Sequence, residues 1–153
     1  MMATGWRIVP EGRAGGAFDG EGARRFGGRW NSPGVLVVYA SQHKSLAALE
    51  QLVHYHPQLP NRFKAFRFQF PDSLIQTLPA RSLPLDWRQS PPPPSVQSLG
   101  DAWAKASRSA VLAVPSILIP EELNYLLNPA HRDFKRIVIE RPGDFAFDVR
   151  LLA

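Results

Sequence analysis

The sequence predicts one α+β domain over residues 1–153, built on a mixed or antiparallel sheet with a few short helices. Its 153 residues fit a single domain. Its hydrophobic fraction of 44% is sufficient for a packed core. Its apolar runs are mostly short and rich in β-branched residues, with short helical segments between them. Together these observations favour strands that are interrupted by helices.

The first third of the chain predicts an irregular loop followed by a strand. Residues Gly12–Gly28 are rich in Gly and Arg, which is typical of an ordered loop. The loop contains Gly20-Glu21-Gly22, but a dinucleotide fingerprint requires a buried strand before it and a helix after it. A Rossmann domain is therefore excluded. The run Val35–Ala40 predicts a short buried strand.

The next segment predicts an amphipathic helix that carries a carboxylate in its apolar face. Ser41 can cap a helix over Gln42–Tyr55, and Pro57 ends it. Three residues form the apolar stripe: Leu46, Leu49 and Val53. The opposite face holds Lys44, Ala48 and Gln51. Glu50 lies inside the stripe, so it either reaches solvent or an arginine at the stripe's edge, or lines a cleft.

The remaining elements are short strands and helices. Strands are predicted over Phe63–Phe70, Ala110–Pro115, Arg136–Glu140 and Phe145–Val149. Helices are predicted over Gly100–Ser107 and Pro120–Pro129, the second because proline begins it and Asn-Pro ends it. Residues 81–98, with four consecutive prolines, predict a stiff surface loop within the domain.

Composition excludes several classes of function. The absence of cysteine rules out disulfides, thiolate catalysis and Cys-based zinc sites. The net charge of +5 is spread along the chain, so we expect no direct nucleic-acid binding. No apolar run is long enough to span a membrane and no secretory signal is visible, so we expect a cytoplasmic protein without a membrane partner. His54 and His56 fall on different helix faces, and we expect no metal site.

Two residues near the first strand are candidates for ligand binding. Arg29 stands between Gly28 and Trp30, where its guanidinium could clamp a phosphate or simply stack on the tryptophan. Tyr39 lies at the end of the predicted strand, where its ring could belong to the core or stack on a heterocycle.

Ser116 follows a proline at the end of a buried strand. It lacks the Gly-x-Ser-x-Gly elbow of hydrolases, and a triad with His131 and Asp133 rests on a spacing that is common by chance. A hydrogen-bonding role for the hydroxyl is more plausible. Asn124 and Asn128 are candidates for capping or binding.

Several segments together resemble the RES-domain family, toxins of bacterial toxin–antitoxin pairs that are named for an Arg, a Glu and a Ser. The resemblance covers nearly the whole chain in order and rests on these segments: GWRIVP, GGRWNSPGVLVVYAS, SLAALEQLVH, GDAW, VPSILIPEELNYLLNPAH and FAFDVRLLA. It maps the three name residues onto Arg29, Glu50 and Ser116, with Tyr39 as an aromatic companion. Residues 81–98 lie outside it and are expected to vary.

The resemblance implies a fold similar to ADP-ribosyltransferases and diphtheria-type toxins. It implies NAD+ as the substrate, cleaved between nicotinamide and ribose by hydrolysis or by phosphorolysis, with no prosthetic group. It also implies an Xre-type helix-turn-helix antitoxin as the partner, and a homodimer within a larger toxin–antitoxin complex.

Each candidate residue has a role in that chemistry. Glu50 would stabilise the oxocarbenium character of the ribose. Gly28 and Arg29 would form an anion-binding lip that anchors the diphosphate. The remaining substrate contacts would come from Tyr39, stacked on nicotinamide, from Ser116, hydrogen-bonded to nicotinamide or its ribose, and from Asn128.

Two other functions remain open. An ADP-ribosyltransferase that modifies a specific protein often has a second acidic residue two positions before its catalytic glutamate, and here that position is Ala48, which favours NAD+ destruction. A non-catalytic binding module would need a contiguous basic face, which scattered charges do not favour.

Overall fold

Eight strands form one mixed sheet in the computed structural model of the chain, which describes residues 1–152. The strands are β1 (Met2–Pro10), β2 (Val38–Ser41), β3 (Phe63–Pro71), β4 (Ile75–Thr77), β5 (Val111–Pro115), β6 (Leu123–Leu127), β7 (Val138–Ile139) and β8 (Gly143–Phe145). Their order is β4-β5-β6-β2-β1-β3-β7, and β8 also pairs with β3. The pairing of β4 with β5 is parallel and the others are antiparallel. The predicted α+β fold with a mixed sheet is confirmed.

Three α-helices accompany the sheet: α1 (Glu21–Phe26), α2 (Lys44–Tyr55) and α3 (Pro94–Lys105). Helix α2 packs on β1 and β2. Helix α3 buries Val96 and Trp103 against side chains of β5 and β6. Its first residue is a proline, which suits the first turn of a helix because no intrahelical partner is available there for an N–H group.

The sheet curls strongly around one apolar cluster. The rings of Phe70 on β3 and Tyr125 on β6 have centroids 5.4 Å apart, although two strands separate them in the sheet. In a flat sheet three strand spacings would place them about 14 Å apart. Gly5 on β1 pairs with Phe68, whose ring covers the position of a Cβ at 2.3 Å. The missing side chain at Gly5 lets the β3 rings fold across β1.

The prediction of a helix over Pro120–Pro129 is wrong, because the centre of that segment is strand β6. This strand is paired on both sides, with β2 and with β5, and Tyr125, Leu126 and Leu127 are buried. Flanking prolines gave a local helix signal, but pairing on two edges and burial of both faces decide the conformation.

The start and the buried face of α2 also differ from the prediction. Ser41 is the last residue of β2 rather than a helix cap, and α2 begins at Lys44. The buried side chains of the helix are Leu46 and Ala47, whereas Leu49 and Val53 of the predicted stripe are 37% and 58% exposed. The helix is rotated because the small Ala47 permits close approach to Ile8 of β1.

Several other boundaries shift. Strand β1 and helix α1 were not predicted, and α1 lies inside the segment expected to be an irregular loop. The predicted helix Gly100–Ser107 is the second half of α3, which begins inside the segment 81–98 that was expected to be loop. The predicted strand Arg136–Glu140 is reduced to β7, and the predicted strand Phe145–Val149 is wrong, because β8 ends at Phe145, where that prediction began.

We expect Gly100→Ala to destabilise the protein strongly. A Cβ at Gly100 would lie 1.7 Å from the carbonyl oxygen of Trp30, and backbone atoms cannot move aside as a flexible side chain could. Urea unfolding should show a loss of about 3 kcal/mol or more, the upper end of overpacking costs. Gly22→Ala, in α1 with open space around its Cβ, is the matched control and should gain up to about 1 kcal/mol. Equal stabilities of the two variants would contradict this packing.

Candidate active site

Glu50 lines a small cleft of about 70 Å³ between α2 and the centre of the sheet, called here the Glu50 cleft. The cleft is formed by residues of four elements: Trp6, Arg7 and Ile8 of β1; Tyr39, Ala40 and Ser41 of β2; Ala47, Glu50 and Gln51 of α2; and Asn124 of β6. Glu50 is half-buried there. Of the two alternatives, the structure therefore places Glu50 in a cleft.

One carboxylate oxygen of Glu50 is fixed by two donors from the sheet. Ser116 Oγ donates to Oε1 over 2.9 Å, and Asn124 Nδ2 donates to the same oxygen over 2.8 Å. Within residues 1–152 no group donates to Oε2. The carboxylate is thus oriented through one oxygen, and the other oxygen is available to a ligand.

Ser116 is buried away from solvent and hydrogen-bonds the carboxylate of Glu50. The residue is fully buried, and its Oγ accepts hydrogen bonds from the N–H groups of Leu118 at 3.1 Å and Ile119 at 3.2 Å. Its hydroxyl hydrogen is donated to Glu50. Ser116 is therefore a positioning residue in this structure, with its hydrogen-bonding capacity used by the protein rather than by a ligand.

Asn124 is oriented in turn by Ser41, which the sequence suggested only as a helix cap. The two residues are paired in register between β2 and β6, and Ser41 Oγ donates to Asn124 Oδ1 over 2.7 Å. That bond directs the Asn124 amino group towards Glu50. Ser116 after β5 and Asn124 of β6 thus bond the carboxylate directly, and Ser41 of β2 acts on it through Asn124.

Tyr39 holds the turn that contains the Gly-Gly-Arg-Trp-Asn motif. Its hydroxyl donates to Asn31 Oδ1 over 2.6 Å and accepts from the N–H of Trp30 over 3.0 Å. A Cβ at Gly28 would lie 2.6 Å from that hydroxyl oxygen, so the glycine makes room for it. Burial raises the pKa of the Tyr39 hydroxyl well above its usual range. The ring lines the Glu50 cleft, with its orientation fixed by these two bonds.

Arg29 is not among the residues that line the Glu50 cleft. Its guanidinium donates to the carbonyl oxygens of Trp87 at 3.1 Å and Gln89 at 2.7 Å, and to Ser90 Oγ at 3.0 Å. Residues 87–90 form a segment that we call the strap. Partial burial lowers the pKa of Arg29, and the negative charge of Glu50 opposes that shift. The strap also contacts the residue that follows Ser116, because Arg88 donates to the carbonyl oxygen of Ile117 at 2.7 Å.

Arg7 is a site residue that the sequence analysis missed. From β1 its guanidinium donates to the carbonyl oxygens of Ala17 and Tyr39, the second over 2.6 Å. Burial lowers the pKa of Arg7 to about 10, yet the group stays charged at neutral pH. No carboxylate of the described chain pairs with it. A charged side chain within the apolar strand Trp6–Val9 was the available sequence signal.

Asn128 and the suggested triad lie elsewhere. Asn128 directly follows β6 and lies four residues after Asn124. At the rise of an extended strand, that separation is about 13 Å. Its side chain donates to the carbonyl oxygen of Ala104 and accepts from the N–H of Ala130. His131 accepts a hydrogen bond from the N–H of Asp133 in that same region. The structure brings none of these residues to Glu50.

Residues 1–152 contain neither a cluster of metal-binding side chains nor a helix that could span a membrane. That part of the chain holds no group of three or more His, Asp or Glu side chains that could bind a metal ion. Among its helices, none has the length and apolar character that a membrane span requires.

Comparison with known proteins identifies the family. The family model of the RES domain matches residues 4–148. The chain belongs to the RES domain family. It is 37% identical to the "Prs ADP-ribosylating toxin" of Sphingobium sp. (strain YBL2), over 99% of this chain and 98% of the relative. It is 38% identical to "Toxin Res" of Yersinia enterocolitica, over 95% and 97% of the two chains. This RES-domain chain is therefore a toxin of the toxin–antitoxin type.

A solved structure supports the fold. The RES chain matches the M. tuberculosis MbcT-MbcA toxin–antitoxin complex with a TM-score of 0.78, covering 95% of this chain and 85% of that chain. The identity is 18%, so this likeness concerns the fold alone. The family's glutamate and serine, mapped to Glu50 and Ser116, are in direct contact here, whereas the mapped Arg29 is joined to them through the strap.

We expect Ser116→Ala to lower the free energy of unfolding by about 1–3 kcal/mol, because two buried N–H groups lose their acceptor and Glu50 loses a donor. Ser98→Ala, which removes one exposed hydroxyl bond in α3, is the control and should change stability by less than about 0.5 kcal/mol. Urea unfolding of Ser116→Ala, Glu50→Gln and the double variant should show non-additive losses. Strictly additive losses would argue against the Ser116–Glu50 contact.

Tyr39 predicts a pH dependence of stability. Its pKa is raised in the folded state, so its contribution is complete below pH of about 10 and is lost as the pH rises towards the folded value. Tyr39→Phe loses two hydrogen bonds but cannot ionise. Unfolding measured between pH 8 and 11 should show a constant deficit for the variant up to about pH 10 and a narrowing deficit above it. A deficit that stays constant to pH 11 would contradict the assigned shift.

Proposed function

We propose that this toxin cleaves NAD+ between nicotinamide and ribose, with Glu50 as its catalytic residue. One observation carries the proposal: Glu50 lines a cleft and is held through Oε1, while Oε2 receives no donor from the described chain. A fixed carboxylate with one available oxygen suits a reaction that builds positive charge on a sugar. The family membership is consistent with this chemistry.

The reaction balances without a redox partner or a metal. The bond between the nicotinamide nitrogen and the ribose carbon breaks, and its electron pair leaves with nicotinamide. The ribose carbon becomes cationic, and Glu50 stabilises that charge and accepts a hydrogen bond from a ribose hydroxyl. Water or phosphate then supplies an oxygen to that carbon and, if water attacks, releases a proton.

Arg7 and Tyr39 supply a positive charge and an aromatic surface, which a dinucleotide site also needs. Arg7 is a half-buried cation that forms no ion pair within residues 1–152, so a diphosphate could supply a partner of opposite charge. Tyr39 provides an aromatic surface that is fixed by two hydrogen bonds and can stack on nicotinamide. The cleft of about 70 Å³ is smaller than typical ligand sites, so only the nicotinamide end of NAD+ would enter it.

The other predicted contacts stay within the proposal in modified form. Three of the five N–H groups of Arg29 are engaged by the strap, which leaves two for a diphosphate oxygen. Gly28 lies beside Arg29, and the Tyr39 hydroxyl occupies the space where a Cβ of residue 28 would lie. Asn128 would contact only a part of the substrate remote from Glu50.

Transfer of ADP-ribose to a protein is the second candidate. It is favoured by the name of the Sphingobium relative, an ADP-ribosylating toxin that is 37% identical to this chain. Both functions share the first bond cleavage and differ in the acceptor, which is water or phosphate in one and a protein side chain in the other. The position of Ala48 two residues before Glu50 favours water or phosphate.

We also propose an antitoxin of the Xre type as the partner of this toxin, a homodimer within their complex, and a cytoplasmic site of action. The support for a protein partner is the fold shared with MbcT, whose solved structure is a toxin–antitoxin complex. Leu49 and Val53 on α2 are apolar and exposed, which suits a surface that another chain covers.

The decisive experiment measures NAD+ loss and its products. Wild type should consume NAD+, and Glu50→Gln should reduce the rate by about 100-fold or more, the scale of removing one transition-state contact. Glu121→Gln, an exposed glutamate without a partner in residues 1–152, is the matched control and should retain full activity. ADP-ribose as product identifies water as the acceptor, a phosphorylated ADP-ribose identifies phosphate, and labelled protein identifies the second candidate.

Two results would overturn the proposal. One is a folded wild type that neither consumes NAD+ nor labels protein. The other is an equal rate for Glu50→Gln and wild type. Circular dichroism and unfolding of both variants would establish that each is folded.

A further inference from the structure

A second cavity, of about 510 Å³, lies at the opposite end of β5 and β6 from the Glu50 cleft, and we call it the distal cavity. It is lined by Ser73 and Leu74, by residues 107–110 after α3, and by residues 130–133. None of these residues lines the Glu50 cleft or serves the proposed reaction. The volume lies within the range of small-molecule sites.

The distal cavity is rimmed by cations that have no partner in residues 1–152. Arg108 and Arg132 are exposed, and neither forms an ion pair or a side-chain hydrogen bond within the described chain. The acidic residue of the lining, Asp133, lies 4.0 Å from Arg136 and is partly neutralised by it. His131 accepts at Nδ1 from the N–H of Asp133, so its neutral ring carries a hydrogen on Nε2. The balance of charge favours an anion.

The turn that carries Arg108 holds a residue in an unfavourable backbone conformation. Helix α3 ends in a turn where the N–H of Ser107 bonds to the carbonyl of Ala104 and that of Arg108 to Trp103. Glycine is usual at the first of these positions, yet Ser107 occupies it with a φ of 48°. A left-handed serine costs about 1–2 kcal/mol that glycine would avoid. Ser107 is one of the residues that line the distal cavity.

We propose that the distal cavity binds a small phosphorylated compound of the sugar-phosphate type. Two arginines, an imidazole N–H and the hydroxyls of Ser73 and Ser107 offer donors from several directions, which suits the three oxygens of a phosphate group. The cavity is larger than one phosphate requires. No Phe, Tyr or Trp lines it, so the rest of the ligand is a polyol rather than a stacked base.

Calorimetry with glucose 6-phosphate tests this proposal, with glucose as the uncharged control. Wild type should bind glucose 6-phosphate and not glucose. Arg108→Ala and Arg132→Ala should each weaken binding by about tenfold or more. Arg25→Ala removes one exposed arginine outside the cavity, changes the net charge equally and should bind as wild type does. In Glu50→Gln, which is expected to cleave NAD+ far more slowly, saturating NAD+ should leave the affinity unchanged, because the Glu50 cleft is a separate site.

Ser107→Gly separates ligand binding from stability. Glycine adopts the left-handed conformation without strain, so the thermal unfolding midpoint should hold or rise while the affinity for glucose 6-phosphate falls.

Three results would each overturn the proposal. They are equal weakening of binding by Arg25→Ala, displacement of glucose 6-phosphate by NAD+, and no binding by wild type at millimolar concentration. Tight binding of single-stranded RNA without binding of glucose 6-phosphate would overturn it as well. Glu50→Gln should bind glucose 6-phosphate normally, so a failure here differs from a failure of the proposed NAD+ cleavage.

Discussion

The arrangement of the candidate site depends on holding one half-buried carboxylate, that of Glu50, in a fixed orientation. A charged group removed from water is tolerated when donors replace the lost hydration. Glu50 receives two such donors at Oε1, from Ser116 and Asn124, and Ser41 fixes the orientation of the second. These three residues lie on or just after β5, β6 and β2, so the carboxylate requires that these strands be neighbours in that order.

The sequence predicted the fold class better than it predicted the strands that carry the candidate site, because one of those strands can be recognised only from its partners in the sheet. Continuous apolar runs such as Val111–Pro115 identify central strands without knowledge of their partners. Strand β6 could not be recognised in this way, because its flanking prolines and its Glu-Glu start resemble a helix, and its strand form comes from pairing with β2 and β5. Within a helix, Asn124 would not lie in register with Ser41, so the missed strand also concealed the hydrogen bonds behind Glu50.

The site itself was predictable where a residue contradicted its surroundings. Glu50 was found because a carboxylate interrupts an apolar helix face, although the face that is buried is rotated from the predicted one. Arg7 was missed because strand β1 itself was not predicted, and only the packing of β1 beside β2 and α2 makes this charged residue part of a cleft wall.

The strap gives a physical reason why an arginine outside the cleft and a serine closed to solvent serve the same carboxylate. Arg29 holds the strap by three hydrogen bonds, and Arg88 of the strap holds Ile117, the residue after Ser116. Ser116 then orients Glu50. The bonds to Gln89, Ser90 and Ile117 are exposed to solvent, so the strap is held by several weak contacts together rather than by one strong contact. Arg29, Glu50 and Ser116, which the resemblance maps to the name residues of the family, are therefore linked through protein contacts, and of the three only Glu50 lines the cleft.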